Sequence, residues 1–311
     1  KEYLNMYEYI IVTHIPAFYK VNLYNELAKK MNILVIFVAS DTNENRSDDF
    51  ISKSDLKFDH KILYTGNLQE RNVYKNIRSL SAIVSQSKYR RIIVGGWDLQ
   101  EYWYLVFTNY KSKNCLVLES TINESSINNI RGVAKKVFLS RISTVFASGN
   151  LHKLLLDSLR YKGEVKVTKG VGIINKPKFS PKFKQYDKKY LFVGRLSKEK
   201  NIEMLIDIFN KLEDYKLTIV GSGPLEEQLK GRANENIIFV GNVVNLGIRK
   251  YFETNDILVL TSVSETWGLV VEEALYYGVP VIVSSNCGSC EIIRDGINGY
   301  VVDIEDDRNI K

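Results

Sequence analysis

Apolar residues follow two alternating rhythms along this chain. In the second half, short unbroken apolar runs, YLFVGRL (190–196), KLTIVGSGP (216–224), NIIFVGNV (236–243), DILVLTSVSE (256–265) and VPVIVSS (279–285), alternate with stretches of helical period. Ile202, Leu205, Ile206 and Phe209 give one such period, and further helices are predicted from Leu225, over 248–254, after 265, and over 289–296 up to Gly296. The first half repeats the grammar at wider spacing, with runs at 9–14, 33–40, 61–66, 91–98, 115–120, 144–149 and 165–170 and helices over 20–30 and 70–86. Continuous apolar strands joined by helices predict parallel sheets covered on both faces. Between the halves, INKPKFSPKFKQYDKK carries two prolines, many lysines and no helical period. The chain therefore divides into a domain over 1–175, a linker over 176–189 and a domain over 190–311.

At 311 residues, 45% hydrophobic and 25% charged, the composition is globular. The longest clean apolar run, 33–39, is too short to cross a bilayer, and no signal pattern opens the chain. Cys115, Cys287 and Cys290 are too few for a disulfide framework, and a cytoplasmic home is expected. The net charge of +7 is uneven: residues 1–175 hold 25 Lys and Arg against 16 Asp and Glu, while 176–311 hold 18 against 20. A basic first half attracts phosphate-bearing ligands or anionic lipid. Its cations lack the aromatic interleaving of stacking platforms, which argues against nucleic acid. The polar stretch 41–55 reads as a loop, and RGVAKKVFLSRISTVF from Arg131 as a basic amphipathic helix suited to an anionic inner leaflet or to packing on the sheet.

Ligands of open parallel sheets bind beyond the carboxyl ends of the strands, so the strand-to-helix turns carry the chemistry. In SETWGLVVEEALYYGVPVI (264–282), Gly268 permits close backbone approach, and the following helix offers free N–H groups to an anion or a sugar hydroxyl. Glu265 lies in the turn and Glu273 one turn beyond Leu269, so both can face one ligand, whereas Glu272 is rotated about 100° away and is expected to face solvent. In VGRLSKEKN, Arg195 and Lys200 flank the turn and can converge on a diphosphate. VGSGP is not a dinucleotide fingerprint, and CGSC at 287–290 has no second pair of ligands for a metal.

These segments, with FVGNV and GSCEIIRDGINGYVV, stand in the order and spacing of family 4 retaining glycosyltransferases, which the chain resembles over most of 190–302. The resemblance implies a GT-B fold: two Rossmann-like doubly wound domains facing each other across a cleft, the first for the acceptor and the second for a nucleotide sugar. It implies that Arg195 and Lys200 hold the donor diphosphate and that Glu273 accepts the ribose hydroxyls. Glu265, with the backbone of Trp267, Gly268 and Leu269, would contact the transferred sugar, and Gly194, Gly241 and Asn242 would line the nucleotide. The implied reaction is metal-independent transfer with retention from a UDP- or GDP-sugar, with no cofactor, to a glycan or polyprenyl-diphosphate-linked acceptor in capsule or other surface-polysaccharide synthesis.

The sequence departs from the family in places. HIPAFYK (14–20) replaces a Gly-Gly loop, and CLVLEST offers Glu119 where a catalytic histidine is common, with His14 as the second choice. His14, Gly95 and Gly96 are the candidates on the acceptor side. The family's C-terminal helix is absent or incomplete. A nucleotide-sugar 2-epimerase of the same fold and a non-catalytic nucleotide-sugar-binding protein are the competing readings.

Overall fold

The computed structural model describes residues 6–43, 50–51, 56–171, 173 and 185–304. The expected loop at 41–55 and linker at 176–189 lie mostly outside them. The chain forms two compact units, Lys1–Ile174 and Asn175–Lys311. At the described end of the linker, the backbone N–H groups of Asp187 and Lys189 both donate to the Asp256 carboxylate at 2.9 Å, which ties this segment to the second unit.

Among the described residues the first unit has seven parallel strands, β1 (Tyr7–Thr13), β2 (Ile33–Phe37), β3 (Asp59–Ile62), β4 (Tyr89–Val94), β5 (Asn114–Leu118), β6 (Thr144–Ala147) and β7 (Glu164–Val167), in the order β3-β2-β1-β4-β5-β6-β7. Its helices are α1 (Phe18–Ala28), α2 (Val73–Gln86), α3 (Gln100–Thr108), α4 (Ile130–Ser140) and α5 (Asn150–Ser158). Strand residues alternate between two covered faces. Ile10, Val12, Leu34 and Ile36 pack with Leu80, Tyr102, Leu105, Phe138 and Leu155, whereas Ile11, Val35 and Phe37 pack with Val21, Tyr24 and Phe58. Where both faces are covered, as along β2, neither set of positions can be polar and the strand reads as an unbroken apolar run, whereas the edge strands β3 and β7 are exposed and carry charged residues. The start of α3 is pinned by a bidentate pair, Arg71 Nε and Nη2 donating to the fully buried Glu101 at 2.7 and 3.0 Å.

Among the described residues the second unit has six parallel strands, β8 (Lys189–Val193), β9 (Lys216–Val220), β10 (Ile237–Gly241), β11 (Ile257–Leu260), β12 (Val281–Ser284) and β13 (Gly299–Val302), in the order β10-β9-β8-β11-β12-β13. The helices are α6 (Ile202–Phe209), α7 (Glu226–Lys230), α8 (Asn245–Thr254) and α9 (Leu269–Tyr276). β13 adds a strand to the five expected. The helix expected over 289–296 is instead a 3-10 turn, Gly288–Ile292. Its first amides donate outward, Gly288 to Glu265 O at 3.0 Å and Ser289 to Trp267 O at 2.8 Å, and Asn298 Oδ1 captures the N–H of Arg294 at 2.6 Å.

The exits of β8 and β9 pack backbone on backbone. Gly221 has φ +132°, and a Cβ there would lie 1.9 Å from the carbonyl oxygen of Gly194. Its N–H meanwhile reaches Gly241 O at 2.8 Å, joining the ends of β9 and β10. Gly221→Ala must both strain the backbone and open this contact. It is expected to destabilise the second unit by about 2 kcal/mol or more, read from the denaturant midpoint of the full chain.

Candidate functional site

Strand order reverses once in each sheet, between β1 and β4 and between β8 and β11. The loops leaving adjacent strands at such a switch point diverge and leave a crevice at the carboxyl ends.

In the second unit the crevice lies between the loop after β8, which includes a 3-10 turn at Lys198–Lys200, and the turn after β11. Val263 N–H donates to Glu199 O at 2.9 Å, and Lys200 Nζ is paired with Glu265 Oε2. Both side chains of that pair are 16% exposed. Arg195 stands exposed at the exit of β8, Gly194 half-buried beside it, and Asn242 exposed just beyond Gly241 at the end of β10.

The SETWG turn is held from beneath by the CGSC segment. Glu265 and Cys287 form a parallel bridge, and Cys287 Sγ, fully buried, donates to Trp267 O at 3.0 Å. Burial pushes the Cys287 thiol up to about 12. Gly268, at φ +88°, has no room for a side chain: a Cβ would lie 2.9 Å from Cys287 Sγ. The cysteine spacing that resembles a metal motif is therefore a packing device. Gly268 caps α9, whose first amides, Leu269 and Val270, have no acceptor within the helix.

The expectation for Glu272 is overturned. It does not face solvent: Trp267 is folded against the start of α9 and its Nε1 donates to Glu272 Oε1 at 2.9 Å, while Oε2 is buried. Burial raises the Glu272 carboxyl above the usual range. Glu273 is raised further, to about 7, by burial first and by the neighbouring Glu272 second. Among the described residues no donor reaches the Glu273 carboxylate.

In the first unit, His14 follows β1 and Asp98 follows β4 across the switch point. His14 Nε2 meets Asp98 Oδ2 at 2.7 Å, and Tyr102 OH meets His14 Nδ1 at 3.1 Å. Burial acts to raise the Asp98 carboxyl, but the His14 hydrogen bond and charge, with its own backbone N–H and Lys20, outweigh it and hold Asp98 below the usual range. Gly95 N–H donates to Val12 O at 2.9 Å, which sets the loop containing Gly96 beside β1. Glu119, after β5, is ion-paired at 2.7 Å with Lys20, a buried lysine that also donates to Thr13 Oγ1 at 3.3 Å. Burial alone would lower the Lys20 ammonium, and Glu119 with Tyr19 and Tyr24 reverses this. His152 is fully buried, and burial pushes its imidazole down to about 4.

Asp98, Tyr102, Lys20 and Gly221 are absent from the sequence candidates, and Trp267 is among them for its backbone but not for its indole contact with Glu272. VGSG carried a signal for Gly221, two glycines directly after a strand. The others come from loops or helix faces that only the fold brings together.

Residues 174–311 match the family model described as glycosyl transferases group 1. That match spans the second unit and agrees with the resemblance to family 4. A 41.2 kDa protein of a cps region in Klebsiella pneumoniae is 36% identical over 118 residues, covering 37% of this chain and 33% of that protein. The O-antigen biosynthesis glycosyltransferase WbnH of Escherichia coli is 30% identical over 196 residues, 61% of this chain and 55% of its own. The chain thus spans about a third to about half the length of these curated relatives. Among solved structures, sucrose-phosphate synthase from Thermosynechococcus elongatus has a TM-score of 0.73 at 16% identity, over 97% of this chain and 87% of that one. Anabaena HepE in complex with UDP and glucose has 0.67 at 14%, over 96% and 86%. The fold is GT-B, with two Rossmann-like units. Among the described residues no helix is long and apolar enough to cross a membrane.

Glu273 links stability to pH. Its folded value of about 7 lies above the ordinary 4.5 of a glutamate. Stability from this group is complete below about pH 4.5 and is lost as pH rises through about 7, because the folded state holds the proton longer. Glu273→Gln is expected to gain about 1–3 kcal/mol on wild type between pH 5 and pH 8, measured by urea unfolding at both values.

Proposed function

We propose that this chain is a retaining, metal-independent glycosyltransferase that moves a sugar from a UDP- or GDP-sugar to a glycan or polyprenyl-diphosphate-linked acceptor. The process would be the synthesis of capsule or another surface polysaccharide. The observation that carries the reading is the Lys200–Glu265 pair across the switch point of a domain that matches the group 1 glycosyltransferases, with Glu273 on the helix that follows. Breaking the glycosidic bond builds negative charge on the leaving diphosphate, which Lys200, Arg195 and the first amides of α9 would stabilise. An incoming phosphate competes with Glu265 for Lys200, which frees Glu265 to accept a sugar hydroxyl. Among the described residues Glu273 has no protein donor, and it is suited to take both hydroxyls of a ribose. The leaving phosphate would accept the acceptor's proton. The names of the relatives favour transfer over the epimerase and the non-catalytic readings.

Calorimetric titration of UDP and GDP into the full chain should show saturable binding of one of them. Glu273→Ala should weaken it roughly tenfold or more, the size of one or two hydrogen bonds to a charged group. Equal affinity in the variant sinks the donor-site assignment. Analysis of products from the bound nucleotide's sugar conjugates then separates transfer from epimerisation.

The proposed setting is the inner face of the membrane, and α4 supports it. This helix turns an apolar stripe outward, Ile130 at 84% exposure, Val133 at 59% and Val137 at 46%, with Arg131 and Lys136 exposed beside it. Phe138 and Leu139 supply its buried face. An apolar stripe with basic flanks suits the boundary of an anionic bilayer. The full chain should float with phosphatidylglycerol vesicles at low salt and much less with phosphatidylcholine vesicles, and Val133→Ser with Val137→Ser should abolish the difference. A chain that stays in the soluble fraction with both lipids removes the membrane from this reading.

A further inference from the structure

Three side chains beyond the carboxyl ends of β1, β4 and β5 offer themselves to an acceptor, and they are not equivalent. His14 has both ring nitrogens engaged, one by Asp98 at 2.7 Å and one by Tyr102 at 3.1 Å, so it reaches a ligand only by giving up one of these bonds. Glu119 neutralises Lys20, whose side chain is 10% exposed. Removing Glu119 leaves a buried cation without its counterion, which marks a structural part for this carboxylate. Asp98 differs from both. Its side chain is 57% exposed, and only Oδ2 is taken by His14. Oδ1 lies above Gly96, where a Cβ would come within 2.5 Å of it. Glycine at 96 is therefore what leaves the carboxylate in this position.

We propose that Asp98 is the residue of the first unit that contacts the acceptor, taking a hydrogen bond from a hydroxyl of a neutral sugar, and that His14 and Tyr102 are the positioning residues behind it. The proposal rests on the glycosyl-transfer reading and names the acceptor chemistry within it. An ionised carboxylate accepts hydroxyl protons and repels phosphate. Of the cations around this loop, Lys20 is paired with Glu119, Arg71 with Glu101, and Lys135 is engaged with the ring of Trp97. The terminal sugar of an acceptor, and not a diphosphate it carries, is what this loop recognises. Tyr102 is fully buried on α3 and neighbours Glu101, so the Arg71 pair that fixes α3 also fixes the phenol behind His14.

The test is saturation-transfer NMR on the full chain, with the methyl glycosides of glucose, galactose, mannose and N-acetylglucosamine as probes and UDP and GDP titrated in parallel. At least one glycoside is expected to bind wild type and to bind Asp98→Asn roughly tenfold more weakly. His14→Phe should lose binding similarly, whereas His14→Gln, whose amide still donates to Asp98, should retain most of it, a rescue that a packing role alone does not give. Glu119→Gln should lower thermal stability and keep the glycoside. Nucleotide affinity should be unchanged throughout. Wild-type affinity in Asp98→Asn overturns the proposal. So does a protein that binds nucleotide and none of the glycosides, or one in which Glu119→Gln alone, still folded, loses the sugar. Glycoside binding through Asp98 without binding of either nucleotide overturns the transfer reading and leaves this contact standing.

Discussion

In each sheet one pair of adjacent parallel strands marks the place where the winding reverses, β1 with β4 and β8 with β11. Crossover connections in parallel sheets keep one hand, so loops that leave neighbouring strands toward opposite sides cannot close over each other. Two of the polar pairs described above sit at those two places. His14 and Asp98 span one reversal, and Lys200 and Glu265 span the other. The apolar runs make the sheets. The reversal in their order makes the sites.

An opening between loops is useful only if the loops hold still. In the second unit this is achieved by backbone contacts that exclude side chains. Gly221 lies on Gly194, and Gly268 lies on the Cys287 thiol. Rigidity at these exits comes from close packing and from main-chain hydrogen bonds, which is cheap in sequence and independent of charge. The polar groups are then left for the ligand. In the first unit the support is made from side chains instead, with Lys20 behind Glu119 and Tyr102 behind His14.

The inner strands were legible because both faces are covered and the apolar run is unbroken, as along β2, whereas the exposed edge strands β3 and β7 carry charged residues and were marked only by their short apolar ends. The Glu265–Glu273 region was legible because a glycine turn and its carboxylates lie close together along the chain. β13 was harder to read, since four residues after a glycine-rich loop carry little period. Glu272 was misread for a specific reason: helical geometry places its Cα away from Glu273, but the indole of Trp267 returns over the helix start and covers it. Asp98 and Tyr102 could not be found by spacing at all. They lie 84 and 88 residues from His14 in the chain, and only the β1–β4 pairing brings them to it.

The neighbouring carboxyls of α9 have one more consequence. A group near neutrality, as Glu273 is, carries its proton for part of the time. A ligand that donates hydroxyls to Glu273 selects the ionised form and must expel that proton. Occupancy of the crevice is then coupled to proton release, so the heat of binding includes the ionisation heat of the buffer, and affinity climbs with pH until the group is fully ionised. Burial of Glu273 sets most of that coupling, and Glu272, held beside it by the Trp267 indole, adds to it.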